Sequence, residues 1–139
     1  MTRTTLALLL GLSAPAGATA LLKPLDFSYR PLSQGQMVEA RATAEGGTGR
    51  IAVHGQMGTP NPCQTLTATR TRSGTTVVLR VVSRPKPDVM CVATLGGYVY
   101  DATLNGLRPG TYRLRVTHQL PQTGNPAERT VLDRTVRVR

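Results

Sequence analysis

The sequence predicts an all-β fold: a single antiparallel β-sandwich of about seven strands, held by one disulfide. Three observations predict it. Apolar and polar residues alternate with a period of two, as in Tyr112, Leu114 and Val116 against Arg113, Arg115 and Thr117. The alternating stretches are short and are separated by Gly- and Pro-rich breaks. No stretch carries the 3.6-residue period of an amphipathic helix. The chain of 139 residues suits one domain.

Residues 1–20 read as a cleaved signal peptide. Arg3 precedes the apolar run Leu6–Leu12, and small residues ending Ala18-Thr19-Ala20 make an A-x-A cleavage site. The run is shorter than the roughly 20 residues a membrane-spanning helix needs, and no later stretch is apolar enough to span. The product is therefore expected to be secreted or periplasmic. Residues 21–36, interrupted by Pro24 and Pro31, read as an N-terminal arm with one strand-like piece, Asp26–Arg30. Residues 37–139 form the expected sandwich domain.

Within that domain, Val38, Ala40, Ala42 and Ala44 share one side of a weak strand, since alanine favours helices. The turn Glu45–Gly49 follows. Ile51, Val53, Gly55 and Met57 then alternate with Arg50, Ala52, His54 and Gln56. Pro60 and Pro62 cannot donate ladder hydrogen bonds, so Gly58–Pro62 is a loop. A threonine-rich run, Gln64–Thr71, and the turn Arg72-Ser73-Gly74 precede the strongest strand, Thr75–Ser83. Its apolar residues fall on both faces, which predicts a central position. After the break Arg84–Asp88 comes the apolar run Cys91–Leu95. Gly96-Gly97 kinks the chain before Tyr98, Tyr100, Ala102 and Leu104, which share a face. The turn at Pro109-Gly110 leads into Thr111–His118, Pro121–Pro126 is a polar loop, and Arg129–Arg139 is the last strand.

Two cysteines in a chain bound for an oxidising compartment read as one disulfide, Cys63–Cys91. Cys63 opens the hairpin 64–83, and Cys91 follows the Pro loop leaving the same end. Closing that loop removes about 3–4 kcal/mol of unfolded-state freedom in the chain-entropy picture.

The run Leu107-Arg108-Pro109-Gly110-Thr111-Tyr112-Arg113-Leu114-Arg115-Val116 resembles the turn and penultimate strand of fibronectin type III-like and immunoglobulin-like domains of bacterial exported proteins. The resemblance implies that Tyr112 packs inward and bonds back to the turn, as in a tyrosine corner. The chain departs from these domains in having no tryptophan and a turn one residue shorter. A match of about a dozen residues bears on architecture, and function has to be argued from a site.

No nucleophile, base and orienter share a motif, so no enzyme activity and no catalytic residue is expected. No cofactor or metal is expected either. His54 and Met57 form an H-x-x-M, which suggests a periplasmic copper carrier as an alternative, but a strand puts an odd offset on opposite faces. The charge carries more. All but one of the 17 basic residues lie after the leader, against 7 acidic ones, so the net charge of +10 falls only by one on cleavage. Arg113 and Arg115 share the outer face of one expected strand, and Arg137 and Arg139 that of its expected neighbour. They form a candidate anionic-ligand face, because guanidinium forks suit carboxylates and phosphates. The expected function is a non-enzymatic binding or structural module of the bacterial cell envelope. Its partner would be a lipid headgroup, a glycan or an acidic protein; export argues against nucleic acid. A secreted immunoglobulin-like protease inhibitor, using loops Gly58–Pro62 and Pro121–Pro126, is a further alternative.

Overall fold

The computed structural model describes residues 23–120 and 127–139. The expected signal peptide and the Pro121–Pro126 loop lie outside the described residues. Eight strands form two four-stranded sheets. The first contains β1 (Leu25–Pro31), β6 (Gly96–Leu104), β3 (Ile51–Thr59) and β2 (Arg41–Gly46), in that order. The second contains β4 (Gln64–Ser73), β5 (Thr76–Pro85), β7 (Gly110–Leu120) and β8 (Ala127–Val138). No helix among the described residues is long and apolar enough to cross a membrane.

The expected alternation holds where the strands are long. Ile51, Val53 and Met57 of β3 face inward, as do Val77, Leu79 and Val81 of β5 and Tyr112, Leu114 and Val116 of β7; all are buried. β5 is central in its sheet. Three readings need correction, and one apolar run that the sequence left unassigned is placed. The strands number eight, because Leu25–Pro31 of the N-terminal arm pairs with β6 along its whole length. The weak alanine strand begins at Arg41, after Val38 has crossed over Gly58 and Gly97. Cys91–Leu95 forms no strand and leaves Val92 and Leu95 exposed. Finally, the sandwich is not wholly antiparallel: β5 and β7 run parallel. The chain between them crosses to the other sheet, adds β6 and returns, which supplies the long crossover that a parallel pair needs. The parallel pair also differs from the antiparallel sheets of immunoglobulin-like domains.

The two sheets enclose one core. Toward the Gly110 end it is aliphatic, built from Ile51, Val77, Leu104, Leu114 and Val138. Toward the disulfide end it contains polar links between the sheets. The Tyr98 hydroxyl accepts from the Gln64 amide at 3.0 Å and donates to the Pro62 carbonyl at 2.6 Å. Ser83 donates to the buried Gln64 side chain at 3.0 Å. Tyr100, fully buried, is hydrogen-bonded to His118 Nε2 at 2.7 Å. Paired in this way, the Tyr98, Tyr100, Gln64 and Ser83 side chains avoid the cost of buried, unpaired polarity, whereas His118 Nδ1 is buried without a partner. Glycine makes room where the sheets come closest to other groups. A Cβ at Gly55 would stand 2.2 Å from the Tyr100 ring, and one at Gly46 would stand 1.8 Å from the Arg137 carbonyl.

Cys63 and Cys91 are joined, with Cα atoms 5.9 Å apart. The Lys86 amide donates to the Cys63 carbonyl at 3.0 Å, so both ends of the intervening loop are fastened to one point. At the other end, the Tyr112 hydroxyl donates to the Arg108 carbonyl at 2.7 Å, the bond expected of a tyrosine corner. The left-handed residue of that turn is Gly106, at φ 70°, whereas Gly110 opens β7 at φ 157°.

Two outcomes follow. Tyr112→Phe should lose only the corner bond, about 0.5–1.5 kcal/mol. Tyr112→Ala should lose about 3–5 kcal/mol. An unchanged urea midpoint in Tyr112→Phe would assign no energy to the hydroxyl, and equal losses in the two variants would assign none to the ring. Burial holds the His118 imidazole down to about 4 from its ordinary 6.5. Between those values the unfolded chain takes up a proton that the native one does not. The stabilisation is thus complete above pH 6.5 and falls as pH drops toward 4, by about 3 kcal/mol in all. An identical pH slope in His118→Gln would contradict this.

Candidate anionic-ligand face

The outer face of the second sheet is built by register. Across β4, β5, β7 and β8, Thr71, Val78, Arg115 and Asp133 stand side by side, and so do Ser73, Thr76, Arg113 and Thr135 in the next row. Farther toward the disulfide end, Thr69 stands beside Arg80 and Thr65 beside Arg84. Arg137 lies opposite Thr111. Arg113, Arg115 and Arg137 are therefore brought to one face, as their alternation predicts. Arg139 is not part of that ladder. Its backbone leaves β8 and pairs with the first sheet's turn, donating to Gly47 O at 3.0 Å and accepting from Gly49 N at 2.9 Å.

Two arginines missed in the sequence, Arg80 and Arg84, complete the face. Both lie on the outward side of β5, a position visible in the alternation. Their link to Arg113 and Arg115 depends on the parallel β5–β7 pairing, for which the sequence has no local signal. The threonine-rich run becomes a row of outward hydroxyls: Thr65, Thr67, Thr69 and Thr71. Alternate residues of a strand recur about every 6.7 Å.

Two carboxylates partly offset the five arginines. Arg113 grips Asp133 with both arms of its fork, at 3.0 and 2.9 Å, and Arg115 stands 3.6 Å from the same carboxylate. Arg80 reaches over Thr117 to Glu128 on β8, at 2.9 and 3.4 Å. The hydrogen bond from Arg113, with the charges of Arg113 and Arg115, holds the Asp133 carboxyl below its ordinary range. The bond from Arg80 does the same for Glu128. The pairs are exposed, so they orient the guanidinium groups more than they stabilise the fold. With five cations against two anions, the face stays positive.

The remaining constellations are placed differently. On the outer face of the first sheet, His54 Nδ1 lies 2.6 Å from Asp101 Oδ1 across the β3–β6 pair. Ser28 and Thr43 extend that row. Met57 points to the opposite side and is buried, so the H-x-x-M is split between faces. Among the described residues, no three His, Cys, Asp or Glu side chains gather to hold a metal. Of the expected Gly58–Pro62 loop, Gly58 and Thr59 belong to β3, and the remainder is tied down: Asn61 Oδ1 accepts from the Cys63 amide at 3.0 Å and the Gln64 side chain at 2.8 Å.

Comparison with known sequences decides the family. The model of the ORF11 beta-sandwich domain matches residues 51–131, more than half of the chain. The chain belongs to the ORF11 beta-sandwich domain family. The match starts at the first residue of β3 and ends within β8, so it includes β4, β5 and β7 entire and most of the arginine face. β1 and β2, the edges of the first sheet, lie outside it. No curated protein and no solved structure matches.

Asp133→Asn tests how the face is organised. It should free Arg113 and Arg115, raise the net positive charge and tighten binding to an anionic polymer at low salt. The melting temperature should change little, as for other exposed ion pairs. Weaker polymer binding in this variant would mean that Asp133 positions the guanidinium groups rather than masking them.

Proposed function

We propose that this ORF11 beta-sandwich domain is a non-enzymatic, exported binding module that takes an extended anionic glycan on the outer face of its second sheet. One observation carries the reading: Arg80, Arg84, Arg113, Arg115 and Arg137 share the outer face of one sheet, which holds two carboxylates among the described residues. The outer face of an open sheet does not enclose a small molecule. It can lie along a polymer, whose contacts accumulate from unit to unit. The threonine row supports the same class of ligand, since its hydroxyls can bond sugar hydroxyls between the charged contacts. Guanidinium supplies forked bonds to carboxylate or phosphate substituents. Export, which rests on the N-terminal leader pattern, places such a module in the cell envelope, where anionic glycans are to be met.

The test uses the chain from Leu21 onward and matched polysaccharides with and without carboxylate or phosphate groups. Binding should be confined to the anionic polymers and fall as salt is added, because exposed charges are screened over about 8 Å at physiological ionic strength. Arg84→Gln/Arg115→Gln/Arg137→Gln should weaken it by roughly tenfold or more, the loss of one or two charge-assisted bonds. Unaltered affinity in the triple variant, or equal binding to neutral polymer, would contradict the proposal.

A further inference from the structure

Exposed apolar side chains are gathered at the disulfide end. Of the six large hydrophobic residues exposed among the described residues, Met37, Val89, Met90, Val92 and Leu95 occupy two adjacent loops there; the sixth, Tyr29, lies on β1. The loops are bound to each other: Gly35 N donates to Leu95 O at 3.0 Å and Leu32 N to Gly97 O at 2.8 Å. Met90 is fully exposed, yet it neighbours the disulfide cysteine and so stands on an anchored tip. Asp88, at φ 58°, turns the chain so that Val89 and Met90 follow at the apex. Solvent offers no reason to hold these side chains out, and clustered exposed apolar groups mark a contact surface.

An open groove of about 330 Å³ runs alongside, bordered by Met37, Val38, Leu95 and Leu120. Cations surround the tip. Arg30, Arg41, Arg84 and Lys86 stand where β1, β2 and β5 meet this end, and all four are exposed. Only Glu39 and Asp88 oppose them among the loop residues. An apolar tip within a basic collar is the charge and polarity profile of an anionic bilayer interface, where apolar groups enter the acyl boundary and cations meet headgroups.

We propose that the disulfide end docks on an anionic lipid surface, with Val89, Met90 and Val92 inserted and the basic collar on the headgroups. This site shares Arg84 with the edge of the arginine face, but its apolar tip carries none of that face, so either site can fail alone. A protein holding both would bridge a glycan and a membrane.

Co-sedimentation with vesicles tests it, comparing phosphatidylcholine alone with an equimolar mixture of phosphatidylcholine and phosphatidylglycerol. The intact chain should bind the mixed vesicles and leave the neutral ones largely unbound. Met90→Ser/Val92→Ser should lose roughly tenfold or more in vesicle affinity, since two apolar side chains no longer leave water. Its melting temperature and polysaccharide binding should be unchanged, because both side chains lie in solvent in the free protein. Arg137→Gln, on the sheet face, should retain vesicle binding. No binding to mixed vesicles, or undiminished binding by Met90→Ser/Val92→Ser, overturns the proposal. So does self-association through Met90 in a protein that ignores vesicles, which would make the tip a contact between copies.

Discussion

The Tyr100 side chain holds the two sheets at one spacing, and much of the structure depends on it. Its ring fills the space left by Gly55 on the neighbouring strand, and its hydroxyl reaches His118 of the opposite sheet. Phe27 packs against it from the edge strand, ring centroids 5.7 Å apart. The chain has no tryptophan and one phenylalanine. Few large side chains are therefore available to span an interior about 10 Å thick. Tyr98 and Tyr112 fill the two ends and Tyr100 the region between. Each uses its hydroxyl as well as its ring, so the aromatic residues supply both volume and polar satisfaction.

The strand that carries Tyr100 also explains how the arginine face arises. β6 joins the first sheet between two strands of the second, and the chain returns from it to lay β7 parallel to β5. Without that excursion the simplest connection after β5 would be a hairpin, and β7 would lie antiparallel to β5 in a different register, so Arg80 would face other residues of the strand of Arg113 and Arg115. The disulfide secures the crossover at its start. Cys91 is fixed to Cys63, so the loop leaving β5 begins and ends near the open end of the β4–β5 hairpin.

Local alternation made much of this legible. The inward faces of β3, β5 and β7, the central place of β5, the cysteine pairing and the tyrosine corner all rest on contacts within a strand, a hairpin or a turn. Beyond the β4–β5 and β7–β8 pairs, strand order was not legible, because it is decided by which apolar faces meet across the interior. Arg113 and Arg115 were visible as a face, but their grip on Asp133 needs a register that shifts at a bulge between Val116 and Thr117. His54 and Asp101 lie 47 residues apart and meet only because β3 and β6 pair. The apolar run Cys91–Leu95 joins no strand for a physical reason. It has the composition of a strand, but its cysteine is held at the sandwich end, away from any free edge.

Family membership and sheet architecture agree on a β-sandwich. The central claim is that the sandwich works through the outer face of β4, β5, β7 and β8. The most direct measurement is a backbone amide NMR titration with an anionic polysaccharide. The account predicts perturbations concentrated along β4, β5 and β7, around Thr69, Arg80 and Arg115, that reverse on adding salt. Perturbations centred instead on His54 and Asp101 of the opposite sheet, or none at low salt, would contradict it.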